Sequence, residues 1–309
     1  MAPPVRQPRT MKLGIVVSLD EGGPQGMPLR FSHVVAQARE AERMGLDSFW
    51  VPDHFFYRAP GQDGVVGQWE AMTVLAALAA LTERITLGPM VAATSFRNPA
   101  LMAKMADTLD EISNGRFVLG LGAGWHQPEY DAFGYPFDHR AGRFEEALQI
   151  IAPLLREGRV TFAGQYYQMT DCVLQPRGPT ARGPRILAAG FKPRMLRLVA
   201  RHADAWNTAW HTRPEQVAQR WEQMVAACAE VGRDPATLEL TAGVMLRIAR
   251  PGETPAPSTS HIAGEPKQIA DVLRGFQAVG VRHLVMVVEP DGNPDLEGLA
   301  RVAALLDGR

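Results

Sequence analysis

Cysteine is scarce in this chain: Cys172 and Cys228 are the two among 309 residues. They stand far apart and fit no metal-ligand spacing, so a reduced, cytoplasmic setting is expected. An excess of either charge is lacking too. The net charge of −1 removes any global attraction to nucleic acid or to an anionic membrane. No apolar run reaches the roughly eighteen residues of a membrane span. The first ten residues, MAPPVRQPRT, are polar and proline-rich with no apolar stretch behind them. They are read as a flexible arm (1–10), not a signal peptide. Several catalytic signatures are missing as well. There is no H-E-x-x-H and no H-x-H near the first strand, and a metal would need the fold to gather residues such as His54, His126 and Glu129. No metal site is expected. No G-x-S-x-G elbow occurs. The SLDEGGPQGMP that follows the first apolar run is not a dinucleotide fingerprint, which speaks against an open doubly wound sheet.

What the chain does contain is alternation. Short apolar, β-branched runs are expected as strands at 12–19, 47–53, 84–91, 116–122, 184–190, 203–209, 238–248 and 282–289. Segments of helical period lie between them: 31–45, 69–81, from Pro99 to about 114, 140–157, 193–202, 214–231, 266–279, and a last one closing at Leu306. Asn98 before Pro99 is a natural helix start, and Thr212 is expected to cap the sixth helix. Eight strands and eight helices in this order predict one (β/α)₈ TIM barrel over 11–309, of the α/β class. Two insertions interrupt it. RVTFAGQYYQMTDCVLQP reads as a hairpin after helix four, and the proline-rich 250–265 reads as a lid after strand seven.

In such barrels the chemistry sits where strands end and helices begin. After strand two come Asp53 and His54, a carboxylate beside an imidazole suited to proton transfer near neutral pH, then Phe55 and Tyr57 as candidate walls for a planar ligand. After strand three, the small apolar stretch at Met90 and Val91 leaves the backbone open to a flat ring. After strand four, Gly120, Gly122 and Gly124 clear side chains from one side, with Ala123 between the last two and Trp125 beyond. After strand five, Ala189, Gly190, Phe191 and Lys192 lead into a helix N-terminus, a natural phosphate site. From Arg177 to Arg201 there are seven basic residues and no acidic ones.

The blocks GLDSFWVPDHF, ITLGPMVAATSFRNPALMAKMADTLDEISNGRFVLGLGAGW, PEYDAFGYPFDHRAGRFEEALQII, PRILAAGFKPRMLRLVARHADAWN and GEPKQIADVLRGFQAVGVRHLVM, in that order, resemble the luciferase-like monooxygenase superfamily. The likeness is strongest to its coenzyme F420-dependent oxidoreductase branch and covers the chain from about Lys12 onward. The resemblance implies a barrel, usually a homodimer, with FMN or the deazaflavin F420 at the strand C-termini. It implies a histidine at His54 close to the ring, with Asp53 fixing its tautomer. A non-prolyl cis peptide at Met90-Val91 is implied behind the ring. Gly122, Ala123 and Gly124 would lie beside the cofactor, with its phosphate at 189–192. Phe55, Tyr57, Trp125 and Trp210 would line the substrate side. Trp125 stands where the sugar-phosphate dehydrogenases of that branch carry a glutamate, so a hydrophobic small-molecule substrate is expected instead. The acid-free basic stretch suits the polyanionic tail of F420, so F420 hydride transfer is the leading expectation. The alternative is an FMN-dependent monooxygenase fed by a separate reductase.

Overall fold

A computed structural model of the chain describes residues 9–21, 29–58, 64–250, 253, 258–289 and 294–308. Eight barrel strands run in sequence order around a ring, every pairing parallel: Lys12–Val16, Ser48–Val51, a third in two pieces at Thr86–Pro89 and Ala92–Ala93, Val118–Gly122, Arg185–Ala189, Ala205–Thr208, Glu239–Ile248 and His283–Val288. The two pieces of the third strand close the ring. Thr86–Pro89 pairs with strand two, while Ala92–Ala93 pairs with Leu121–Gly122 of strand four. Between them the Met90-Val91 peptide is cis.

The strands formed where apolar runs were continuous because most are buried on both faces. All six residues of His283–Val288 and all four of Ser48–Val51 are buried. Eight helices alternate with the strands: Phe31–Met44, Ala71–Leu81, Pro99–Ser113, Arg140–Glu157, Pro193–His202, Pro214–Glu230, Pro266–Ala278 and Leu296–Leu306. Asn98 caps the third as its sequence predicts, accepting from Ala100 N and Leu101 N. Thr212 does not cap the sixth. Arg213 holds that position, and Gln216 reaches back to accept from the N–H groups of both Thr212 and Arg213.

The main core lies between the outer barrel face and the helices, and a smaller one, including Val16, Trp50, Leu187 and Val285, fills the barrel interior. At the N-terminal end of the barrel a polar chain is threaded through this interior. Trp50 Nε1 donates to Ser48 Oγ at 2.7 Å, and Ser48 Oγ meets His283 Nε2 at 2.7 Å. Burial pushes the His283 pKa down to about 4, so the ring is neutral there at pH 7.

The expected hairpin after helix four is present as antiparallel Arg159–Ala163 and Gln168–Val173. Of the expected lid over 250–265, residues 251–252 and 254–257 lie outside the described residues. Its end, Ile262–Gly264, pairs parallel with strand seven. Residues 1–8 of the expected arm are also outside the described part. Arg9, at its end, is fastened down: its guanidinium donates to Asp307, to Gly45 O at 3.0 Å and to Asp47 at 3.2 Å. Two elements have no counterpart in the sequence reading. A small hairpin, Phe56–Tyr57 with Val66–Gly67, follows strand two, and a helix, Gln127–Phe133, follows strand four.

Candidate active site

A cavity of about 500 Å³ opens at the C-terminal rim of the barrel. Its floor comes from strand ends one, three and eight, at Val16, Met90, Val91 and Val287. Its sides come from the segments beyond strands two, four and six, at His54, Gly124, Trp125 and Trp210, with Tyr57 and Gln68 from the small hairpin region. A larger hollow of about 650 Å³ lies outside the barrel between the fourth helix and the hairpin after it. It gathers none of the strand-end residues, so the rim cavity is the one that the fold equips for chemistry.

The glycines after strand four are there for clearance. A Cβ on Gly122 would sit 2.7 Å from Val91 Cγ2, so the strand-four end approaches the cis bulge more closely than any side chain allows. Gly124 has φ of +73°, and a Cβ there would lie 1.7 Å from the Tyr130 hydroxyl. Tyr130 is fully buried, donates to Ala123 O at 3.2 Å, and has its pKa pushed up to about 12 by burial.

His54 does not pair with Asp53. Its Nδ1 donates to Glu129 Oε2 at 2.8 Å, and the other oxygen of Glu129 accepts from Phe55 N at 2.6 Å and Phe56 N at 3.2 Å. Glu129 is 1% exposed, a buried carboxylate with three donors. It therefore fixes the orientation of the ring and leaves Nε2 as the nitrogen with acid–base capacity. Asp53 faces the other way. It takes both arms of the Arg97 guanidinium, at 2.7 and 2.9 Å, and accepts from Ala93 N at 3.0 Å. Arg97 also bonds Glu70, which caps helix two by accepting from Met72 N and Thr73 N. Burial works against the Arg97 charge, but Asp53 and Glu70 outweigh it and hold its pKa above the ordinary value. Asp53 is thus the clamp between strands two and three. Asp53, one residue before His54, turns toward the strand-three segment, where the Arg97 guanidinium meets it.

His126 stacks on Tyr57 at 5.0 Å, and its Nε2 accepts from Arg58 N at 3.1 Å. Burial lowers its pKa against the pull of Glu129, so it stays neutral. His54, His126 and Glu129 do come close, but the ring nitrogen of His126 and both Glu129 oxygens are committed to the protein. Among the described residues no group of side chains is placed to hold a metal.

Of the expected walls, Tyr57, Trp125 and Trp210 line the cavity; the latter two are 59% and 47% exposed. Phe55 does not. Its ring stacks on Phe133 at 4.3 Å and on Phe96 at 4.6 Å, in a separate aromatic cluster. Of the residues expected beside a cofactor, Met90, Val91 and Gly124 line the cavity. Gly122, Ala123, Ala189, Gly190, Phe191 and Lys192 do not line it and stand on the adjacent rim, Ala188 pairing with Leu121 and Ala189 with Asn207. Trp206 Nε1 donates to Gly190 O at 2.9 Å and so fixes the strand-five turn. Sequence reasoning named Glu129 only as a conceivable metal ligand and missed its bond to His54, and it missed Arg97 and Gln68. Glu129 lies 75 positions from His54, with no local signal to link them.

Two polar atoms beside the cavity lack protein partners. Thr94 Oγ1, on a residue 1% exposed just past the strand-three end, and the buried Gln68 Oε1 make no hydrogen bond. Native buried groups of this kind ask for a partner. A flat ring with polar edges, set against the Met90-Val91 bulge, fits them.

The basic stretch from Arg177 to Arg201 does not converge on the rim. Arg177, Arg182 and Arg185 precede or begin strand five, at the opposite end of the barrel, and Arg201 lies in the last turn of the following helix. Arg177 stands 3.5 Å from Asp107, Arg185 2.8 Å from Glu239, Arg194 2.6 Å from Glu145 and Arg197 3.2 Å from Glu230. Only Lys192 is left at the rim with no acidic partner among the described residues.

The sequence model of the luciferase-like monooxygenase family matches residues 11–255. A pyrimidine monooxygenase, RutA, of Methylorubrum extorquens is 37% identical over 228 residues, 70% of this chain and 60% of the relative. The chain thus spans about 60% of the length of that curated relative. Among solved structures, riboflavin lyase RcaE with modified FMN superposes with a TM-score of 0.81 at 14% identity, covering 97% of this chain and 92% of that one. Coenzyme F420-dependent tetrahydromethanopterin reductase of Methanopyrus kandleri gives 0.75 at 18%, covering 95% and 97%. At such identities these two likenesses speak for the fold alone.

Proposed function

The chain belongs to the luciferase-like monooxygenase family, and on that premise we propose that it is an FMN-dependent monooxygenase acting on a small organic molecule, with reduced flavin supplied by a separate reductase. The observation that carries FMN over F420 is the fate of the basic stretch. FMN ends in one phosphate, and the rim offers Lys192 and the free backbone N–H groups at the start of the Pro193–His202 helix. A polyanionic tail would ask for the other cations, which face acids or stand at the far end of the barrel. This reverses the expectation drawn from the sequence, and the similarity to a pyrimidine monooxygenase points the same way.

In this reading Met90 and Val91 back the ring, Gly122 lets the strand-four end close against Val91, and Thr94 and Gln68 meet its polar edge. Lys192 and the helix N-terminus hold the phosphate. When bound, the flavin supplies the two-electron chemistry toward oxygen and substrate. The protein orients and shields. Trp125, Trp210 and Tyr57 exclude water from the face opposite the bulge. His54 holds or moves a proton at Nε2, and Glu129 keeps that nitrogen turned to its task. The test is to supply reduced FMN from a generic reductase under ¹⁸O₂ with uracil as the first trial substrate and a panel of small heterocycles behind it. Incorporation of one ¹⁸O atom into an organic product supports the reading. Hydride transfer from reduced F420 to the same panel, with no oxygen incorporation under FMN, rejects it.

A further inference from the structure

We propose that the substrate of the rim cavity is an uncharged flat ring, and that carboxylates, sulfonates and phosphates are turned away. The inference rests on the functional reading above and narrows its substrate class. Three carboxylates line the cavity, those of Asp20, Asp53 and Glu129, and no lysine or arginine does. The Arg97 guanidinium is taken by Asp53 and Glu70, that of Arg140 donates to Gly124 O, and the imidazole of His54 is taken by Glu129. The segments of the chain outside the described residues that interrupt the barrel, 22–28, 59–63, 251–252, 254–257 and 290–293, contain no lysine or arginine in their sequences. An anionic substrate would therefore give up its hydration without meeting a free counter-charge in the cavity lining. The cost of leaving one charged group unsatisfied in a partly dry site corresponds to a loss in affinity on the order of 30-fold. The aromatic faces of Tyr57, Trp125 and Trp210 give an uncharged ring what an anion does not need: stacking surface with negative π faces. Lys192, at the strand-five turn with no acidic partner among the described residues, is outside the cavity lining and is assigned to the cofactor phosphate.

The experiment uses the full chain and near-isosteric pairs that differ in charge: uracil with orotate, and nicotinamide with nicotinate. Cofactor loading is measured first. If FMN fails to load while F420 loads, the monooxygenase reading falls, and the pairs are then run on the F420-loaded chain, so the two failures stay distinct. Binding is read from the difference absorbance of the bound cofactor. The expected result is that at least one neutral member binds and that its anionic mate binds about 30-fold or more weakly. In Val66→Lys, which places an ammonium at the exposed edge of the cavity, the anionic member gains at least tenfold while the neutral one moves less than threefold. Equal or tighter binding of an anionic member, or a panel in which no neutral ring binds, overturns the proposal.

Discussion

Replacing Arg97 by methionine removes the cation that Asp53 was built around. Asp53 is 3% exposed and receives both arms of the guanidinium, and Glu70 shares it. Methionine fills most of the volume, so the loss is electrostatic more than steric. Breaking a buried pair by deleting one partner costs about 3–5 kcal/mol, because the other charge stays behind without compensation. For a chain of this size an unfolding entropy of about 0.65 kcal/mol per kelvin turns 4 kcal/mol into a fall in Tm of about 6 °C. The double variant Asp53→Asn with Arg97→Met removes both charges and should recover at least half of that loss. The Asp53 carboxylate also holds Ala93 N, two residues past the cis bulge, so FMN affinity should weaken along with stability in Arg97→Met. Thermal melts and flavin titrations on the two single variants and the double variant complete the cycle. A single-variant cost under about 1 kcal/mol, or a double variant no more stable than Arg97→Met, would show that the clamp assigned to Asp53 is wrong.

Other outcomes follow from the same contacts. Glu129→Gln keeps an acceptor for Phe55 N and Phe56 N but turns an amide N–H toward His54 Nδ1, so the ring must exchange its tautomer. Turnover should drop about 100-fold or more with FMN affinity within threefold, and unchanged turnover in stopped-flow assays would remove the orienting role. Because the folded-state pKa of His283 is depressed to about 4, the native state binds fewer protons than the unfolded chain between pH 6.5 and 4. Stability from this group is full above pH 6.5 and is lost as pH falls, by about 2–3 kcal/mol between pH 7.5 and 4.5. Urea melts of His283→Asn should show that part of the acid slope gone, and an unchanged slope would contradict the assignment. Gly124→Ala should cost about 2–4 kcal/mol from the positive φ and the clash with the Tyr130 hydroxyl, and a Tyr130→Phe background should recover only the clash. Equal melting temperatures for wild type and Gly124→Ala would be inconsistent with this backbone.

The barrel was legible because its signals are local. Runs such as HLVMVV are buried on both faces and read as strands without help from the rest of the chain, and Asn98-Pro99 announces its helix. The clearing glycines and the strand-end position of His54 were legible for the same reason. What the sequence hid were partnerships between distant segments. Asp53 and His54 are neighbours in the chain but serve different partners, Arg97 and Glu129, because successive side chains leaving a strand point to different sides. The run from Arg177 to Arg201 has no acid of its own, yet Asp107, Glu145, Glu230 and Glu239 reach it from four other elements. Charge counted along the chain overstated the charge available at the rim. Phe55 looked like a pocket wall by position, but the helix Gln127–Phe133, which no periodicity marked, supplies Phe133 for it to stack on.

The most direct measurement is a side-by-side titration of the cofactor-free chain with FMN and with F420, repeated for Lys192→Ala. A flavin seated at the barrel rim with its single phosphate on Lys192 predicts FMN binding at least tenfold tighter than F420, and a roughly tenfold loss of FMN affinity in the variant with riboflavin affinity unmoved. Tighter binding of F420, or an FMN affinity indifferent to Lys192, would contradict it.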